Sequence, residues 1–299
     1  MKKVLLTGAT ELIGTNTIDP LLNLGFEVFA VTCSYTRPPN KRKVHWIQAD
    51  LLNFDNIHSV FKDVKAEYLL HLDWYTPPTN RLANDVNFYW FLAGLEMLKQ
   101  FNRYGGKRAV YAGTCFEYEM GNDPLNEFST KLNPQSNYAK YKNHLNEIAT
   151  LYSSKNNINF GWGRLFYIYG FNDLERRVIP HIIKSLLNDT EVVVSANNLV
   201  RDYMFACDIG VAFAKFLDTD LTGNVNICSN IPVKLRDFLS LIPERLNKMH
   251  LVKFEETIDN EIEIILGDST RLTQEVGFRA NNTLLSALNN LMIEYNLTT

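Results

Sequence analysis

Three observations predict a doubly wound α/β fold with a parallel sheet and a smaller C-terminal lobe. Short apolar runs alternate with helical stretches from the first residue, each run is about five residues long, and a glycine-bearing loop follows the first run. Residues 4–6 give the first strand, ending at Thr7-Gly8, and residues 12–24 carry helical spacing with Gly25 in a C-cap position. Strands follow at 27–31, 44–47 and 68–72. The pattern continues at 108–112 and 160–165, with helices near 84–104 and 135–154. Beyond Gly170 the rhythm weakens. A helix opens at 178–180, a short strand occupies 191–194, and 235–249 reads as an amphipathic helix, which marks the smaller lobe.

Composition excludes several classes of function. With 30 Lys and Arg against 33 Asp and Glu, the formal net charge is −3, so neither a nucleic-acid surface nor a polybasic membrane anchor has an electrostatic basis. The 299 residues are 46% hydrophobic and 21% charged, the balance of a globular body rather than a disordered one. Cys33, Cys115, Cys207 and Cys228 form no C-x-x-C pair, which fits reduced thiols in a cytoplasmic protein. The six histidines show no metal-ligand spacing, and no metal is expected. The apolar start stops at Leu6, too soon for a signal peptide, and no stretch approaches the roughly 20 apolar residues of a membrane span.

The loop Thr7-Gly8-Ala9-Thr10-Glu11-Leu12-Ile13-Gly14 lies between the first strand and the first helix, where backbone N–H groups and the positive helix end suit a dinucleotide diphosphate. A turn glycine followed by a packing glycine is the plainer reading. Glu11 stands against the diphosphate: at about 5 Å from one phosphate charge it costs roughly 3 kcal/mol at an effective dielectric near 20, and well under 1 in water. Its side chain is therefore expected to turn outward.

Tyr138 and Lys142 form the chain's one Y-x-x-x-K and share a face of the 135–154 helix, whose start is marked by Asn133-Pro134-Gln135-Ser136. Proton exchange by a phenol near pH 7 requires its pKa to fall by about 3 units, roughly 4 kcal/mol. A desolvated ammonium facing the phenolate supplies that, and the hydroxyl of Thr114 at the preceding strand end would orient the oxygen being protonated. A surface i,i+4 pair beside a buried hydroxyl is the structural alternative.

Several segments resemble those of one family, and in its order. The Thr7–Gly14 loop resembles the T-G-x-x-G-x-x-G of short-chain dehydrogenases/reductases, with Glu11 at the middle glycine. Ala112-Gly113-Thr114-Cys115-Phe116-Glu117-Tyr118 resembles the S-S/T-x-x-x-Y segment, and His71-Leu72-Asp73-Trp74 the H-L-A-A turn. Asn87 matches a helix asparagine, Asp50-Leu51 the adenine-contacting turn, Arg164 to Gly170 the R-x-F-N-x-Y-G, and Arg201-Asp202-Tyr203 the R-D-F/Y. The chain thus resembles the NAD(P)-dependent nucleotide-sugar epimerase/dehydratase family of extended short-chain dehydrogenases/reductases.

The resemblance implies a Rossmann domain from residues 1–166 and 201–230, with 167–200 and 231–299 as a nucleotide-sugar-binding lobe. It implies Thr114, Tyr138 and Lys142 as catalytic residues. Around the cofactor it places Gly8, Thr10, Glu11, Leu12, Ile13, Gly14, Arg37, Asp50, Leu51, Leu72, Asn87 and Lys142. The substrate would meet Tyr75, Thr114, Cys115, Phe116, Tyr138, Tyr167, Val178 and Arg201, with Arg201 clamping the diphosphate or else forming a plain ion pair with Asp202. No acid follows Thr32 to hold a ribose hydroxyl, and Arg37, Lys41 and Arg42 come next, which favours NADP, with NAD as the alternative.

Departures narrow the reaction. Cys115-Phe116 replace the Asp-Glu of dehydratases, Phe116 stands where 3,5-epimerases carry cysteine, and Arg177 replaces the histidine of the GDP-fucose synthase type, although His181 is near. Tyr167 replaces an asparagine, and Ser195-Ala196-Asn197-Asn198 replace a G-x-G-like turn. The expectation is NADPH-dependent reduction of a nucleotide-diphospho-4-keto-6-deoxysugar. A NAD-dependent 4-epimerase and a redox-silent regulator that binds dinucleotide or nucleotide sugar are the alternatives. A homodimer is expected through the 84–104 and 135–154 helices, with Phe88, Phe91, Leu95 and Leu98 as an apolar stripe that would serve equally as intrachain core.

Overall fold

The structure, a computed structural model, describes residues 2–33, 43–74, 84–121, 123–171, 173, 177–195, 199–255 and 262–295. The first ten elements alternate strictly apart from one β-β step: β1 (Lys2–Thr7), α1 (Leu12–Asn23), β2 (Phe26–Thr32), β3 (Val44–Gln48), α2 (Phe54–Val64), β4 (Tyr68–His71), α3 (Val86–Arg103), β5 (Arg108–Thr114), α4 (Asn137–Lys155) and β6 (Asn159–Leu165). There follow β7 (Tyr167–Tyr169), α5 (Val178–Leu187), β8 (Val192–Ser195), β9 (Val200–Phe205), α6 (Ala206–Asp218) and β10 (Gly223–Ile227). The chain ends with β11 (Pro232–Lys234), α7 (Leu235–Arg245), β12 (Val252–Glu255), β13 (Ile264–Ile265), α8 (Thr270–Gln274) and α9 (Leu284–Glu294).

Seven strands form one parallel sheet in the order β10-β6-β5-β4-β1-β2-β3. After β1 the chain winds one way to β2 and β3, and then crosses to β4 on the other side. The crevice outside the carboxyl ends of β1 and β4 is therefore the switch point at which such sheets bind ligands. Every residue of β5 is buried, as a central strand with helices on both faces requires. One face carries a core around Val4, Leu6, Ile18 and Ile209, and the other a core around Leu5, Ile57, Met97 and Leu145.

Small residues set how closely the layers approach. A Cβ added to Gly161 or Gly163 in β6 would lie 2.6 Å or 2.5 Å from the rings of Phe216 or Phe213, so the bare backbone of β6 receives the aromatic face of α6. At Gly210 the same atom would lie 2.2 Å from the Asn16 carbonyl oxygen, bringing α6 against α1 backbone to backbone.

The smaller lobe has its own sheet. β9 pairs antiparallel with β11 and parallel with β13 and β7, and β8 pairs with β12. The 201–230 segment is thus divided: β9 lies in this second sheet, while β10 lies in the first. The helix expected over 235–249 ends at Arg245 because Asn247 turns to a left-handed φ of 54°, and a separate helical turn spans Met249–Leu251. The strand expected at 108–112 runs on to Thr114. Of the stripe on α3, Leu98 is core, Phe91 and Leu95 are half-buried, and Phe88 is exposed against Tyr89 and Tyr141, while Ile148 and Leu151 are exposed further along α4. Among the described residues no helix is long and apolar enough to cross a membrane.

Gly210→Ala is expected to lose about 1–3 kcal/mol of stability, because the α1 backbone cannot yield to a new methyl, despite alanine's better helix propensity. The urea midpoint at unchanged m-value measures this.

Candidate functional site

The loop after β1 is shaped by its glycines. Gly8 has a φ of +68°, and a Cβ there would sit 2.9 Å from the Asp73 nitrogen; a Cβ on Gly14 would sit 2.0 Å from the Gly8 carbonyl oxygen. The loop therefore packs on the β4–α3 turn and turns directly into α1. Glu11 is the N-cap of α1, yet its carboxylate makes no capping hydrogen bond, so the first-turn amides have no side-chain cap. Its side chain is exposed, at the mouth of a cavity of about 410 Å³ that Leu12 and Ile13 also line.

The opposite wall comes from β5 and α4. Ser136 caps α4 by accepting from the Ala139 amide at 3.2 Å, which sets Tyr138 in the first turn and Lys142 one turn on, both on the cavity. Thr114 ends β5, and its Oγ1 accepts from the Phe116 amide at 3.3 Å. Glu117 fixes this corner. Its buried carboxylate accepts from the Thr114 amide at 2.9 Å, from Trp162 Nε1 at 3.0 Å and from Arg164 Nε at 2.7 Å. The Arg164 guanidinium continues to Tyr118 Oη at 3.1 Å, and that hydroxyl donates to Asn226 at 2.8 Å.

Lys142 is 2% exposed. Its Nζ donates to the Ala112 carbonyl at 2.7 Å and lies 3.9 Å from the centre of the Trp74 ring. Burial pulls this ammonium down to about 7, against Glu117 and Asp73, which hold it up. Asp73 moves the other way. Burial first and the Glu11 charge second push its carboxyl up to about 7, opposed by Lys142 and by the Gly8 amide. At the far side of the cavity Arg177 Nε meets the Asp173 carboxylate at 3.2 Å, beside Tyr167, Val178, Ile179 and Tyr203.

These residues fit a dinucleotide in shape: two glycines stand where a Cβ would collide, an uncapped helix start follows, and a buried ammonium closes the far end. Two carboxylates, Glu11 and Asp73, oppose its charge.

The sequence profile of the NAD dependent epimerase/dehydratase family matches residues 4–228. The chain belongs to that family. Among curated relatives it is 23% identical to protein CapI of Staphylococcus aureus, with 98% of each chain covered, and 24% identical to CDP-abequose synthase of Salmonella typhimurium, with 93% of each covered. Among solved structures it resembles UDP-glucose 4-epimerase of Thermotoga maritima with UDP-glucose, at a TM-score of 0.89, 16% identity and 98% of each chain covered. The UDP-glucose 4-epimerase of Thermus thermophilus in complex with NAD gives 0.88 at 20% identity, covering 99% of this chain and all of that one. At those identities the likeness is one of fold.

Of the residues expected at the site, Glu11, Leu12, Ile13, Leu72, Thr114, Cys115, Phe116, Tyr138, Lys142, Tyr167 and Val178 line one cavity. Gly8, Thr10 and Gly14 shape the loop beside it, and Thr10 Oγ1 pairs with Thr32 Oγ1 at 3.2 Å. Asp50 and Leu51 follow β3 in a turn where Asp50 accepts from the Leu52 amide at 2.9 Å. Asn87 is buried and holds the Trp74 indole N–H at 2.9 Å. Arg37 and Tyr75 lie outside the described residues, as do Lys41 and Arg42. Arg201 is not on the cavity wall. Its guanidinium donates to the Val200 and Glu263 carbonyls at 3.0 and 3.1 Å and lies 5.5 Å from the Tyr167 ring, so Arg177 is the arginine on the wall itself.

Sequence reading gave no role to Trp74, Asp73, Glu117 or Asp173. The H-L-D-W turn was the available signal for the first two, since Asp and Trp stand there in place of two alanines.

The Asp73 carboxyl stays protonated in the fold up to about pH 7, but in the unfolded chain only up to its ordinary 3.8. Its ionisation therefore penalises the fold progressively between those values. Asp73→Asn is expected to be more stable than the parent at pH 8, by up to about 4 kcal/mol, with the difference gone near pH 4. Denaturant titrations at pH 4, 6 and 8 measure it, and an equal offset at all three would contradict the assignment.

Proposed function

We propose that this chain reduces the ketone at C4 of a nucleotide-diphospho-4-keto-6-deoxysugar, with NADPH as reductant. The observation that carries this reading is the meeting of Thr114, Tyr138 and a buried Lys142 on one wall of one cavity. In this reading the loop from Gly8 to Gly14 with Thr10, Leu12 and Ile13 holds the cofactor diphosphate. Asp50 and Leu51 would meet its adenine and Leu72 and Lys142 its nicotinamide end, with Asn87 behind Trp74, while Arg37, outside the described residues, is the sequence's candidate for the 2′-phosphate. When bound, the cofactor supplies hydride to the carbonyl carbon.

The protein's own part is the proton. Tyr138 gives its phenolic proton to the carbonyl oxygen, and the Lys142 ammonium stabilises the phenolate left behind. The Thr114 hydroxyl donates to the same oxygen and fixes its direction. Cys115 and Phe116 follow Thr114 where dehydratases carry the acid and base that remove water, and the nearby Glu117 carboxylate is already held by Arg164, Trp162 and the Thr114 amide. Arg177 meets the sugar nucleotide's diphosphate, and Arg201 braces Tyr167 from behind. The CDP-abequose synthase likeness, at 24% identity, supports a nucleotide-sugar substrate.

A second reading is supported by the carboxylates of Glu11 and Asp73 at the diphosphate loop: a redox-silent regulator that binds nucleotide sugar. The outer face of α3 and α4, with Phe88, Tyr89, Ile148 and Leu151 exposed, supports a homodimer in either reading.

Tyr138→Phe is expected to lose at least a thousandfold in turnover while nucleotide-sugar affinity by calorimetry changes less than about threefold. Wild type should consume one NADPH per product; turnover without net NADPH loss indicates a 4-epimerase, and binding without turnover across a panel of nucleotide sugars indicates the regulator. Light scattering should give twice the chain mass, and a monomer mass at micromolar concentration would remove the dimer.

A further inference from the structure

Trp74 stands just after β4, on the turn where the resembling motif carries alanine, and it is 8% exposed. Its ring is fixed on several sides. The indole N–H donates to Asn87 Oδ1 at 2.9 Å, the ring stacks on Trp90 at 6.3 Å, and its partner on α4 is Tyr138, edge-on at 6.1 Å. The Lys142 ammonium lies 3.9 Å from its centre, while the Trp162 ring is more distant at 5.9 Å. One side chain therefore touches both members of the Y-x-x-x-K pair.

We propose that Trp74 is a positioning residue, whose indole face keeps the Lys142 ammonium charged and aimed beside Tyr138. The face of an indole carries negative potential, and a cation over it in a site closed to water is held more strongly than at a surface. Lys142 needs such help. Among the charged and titratable groups around it, Glu117 on the turn after β5 and Asp73 on the turn after β4 favour its charge, and burial opposes it. Glu11, from the start of α1, acts through Asp73 by discouraging its ionisation. His71, at the end of β4, is held neutral by its own burial and then by Lys142, and Tyr138 on α4 is the group that Lys142 serves. With Asp73 partly protonated near neutral pH, the indole is the neutral, permanent contributor on the cavity side.

The charge of Lys142 is read directly by the 13Cε resonance of labelled lysine against pH in the cofactor-free protein, assigned by its loss in Lys142→Arg. Trp74→Leu is expected to titrate at a lower pH, by up to about one unit. Fluorinated tryptophans placed at position 74 keep the shape and drain the ring, and the midpoint should fall in step with fluorine count. An unchanged midpoint across that series overturns the proposal even where Trp74→Leu fails to fold.

The activity arm rests on the reductase reading. In Trp74→Leu, kcat at pH 8 should fall about tenfold with KM within threefold, and the alkaline limb of the kcat profile should move down by the same interval as the NMR midpoint. A fall in kcat with the limb unmoved indicates a merely structural role and overturns the proposal. A midpoint shift in a protein that reduces no ketone leaves the proposal standing and removes the reductase reading.

Discussion

An ammonium held out of water costs several kcal/mol unless its surroundings answer it, and the carboxyl edge of the sheet is arranged around that constraint at Lys142. Three kinds of group answer it. The Ala112 carbonyl accepts its hydrogen bond, the Trp74 face covers its cavity side, and the Glu117 carboxylate lends charge from behind. Glu117 itself is tolerable in the core because Arg164, Trp162 and the Thr114 amide all donate to it. The carboxylate that supports the ammonium therefore also fixes the end of β5, where Thr114 sits. Removing either partner of the Glu117–Arg164 pair would strand a buried charge, so the corner holds together or fails as a unit.

The loop on the other side of the crevice has an opposite problem. Its helix start offers a partial positive charge and amides with no side-chain cap, but Glu11 and Asp73 bring two carboxyl groups to the same place. Glu11 is exposed, so water screens much of its effect. Asp73 is the more consequential of the two, because burial makes it the group whose charge is undecided near neutrality. Its neutral form leaves the loop suited to an anion. Its charged form supports Lys142. A bound diphosphate favours the first and the ammonium the second, so the two ends of the cavity are linked through one carboxyl.

Much of the first sheet was legible in the residues because buried parallel strands are continuous apolar runs and their helices have a clear period. The second sheet was not. Its strands are two to six residues long, and β9 draws partners from β7, β11 and β13, segments that no local pattern joins. The same distinction governs the site. Tyr138 and Lys142 were visible because one helix turn sets their spacing, and Thr114 because it ends a strand. Trp74 reaches Lys142 across 68 positions of chain, and Glu117 reaches Arg164 across 47, so their partnership exists only once the sheet is folded. Arg201 shows the converse: its residue type fits a diphosphate clamp, but its guanidinium is held by the backbone of β9 and the segment before β13.

The cavity wall away from Thr114, Tyr138 and Lys142 is built differently, and one residue accounts for its placement. β6 belongs to the first sheet and β7 to the second, with Phe166 alone between them. Phe166 is buried against Cys115, Tyr118 and Cys228, and its amide approaches the Ile227 carbonyl at the end of β10. So short and so packed a connection leaves little freedom between the sheets. Tyr167 and its neighbour Tyr203 therefore join Thr114 on one cavity, at positions set by the core rather than by a loop. An aromatic and aliphatic wall opposite a polar one suits a sugar ring, which presents apolar C–H faces and polar edges, while Arg177 and Asp173 mark the end of the cavity where charge is tolerated. Packing of Phe166 between the two sheets thus fixes how the second sheet's residues stand on the cavity that Thr114, Tyr138 and Lys142 also line.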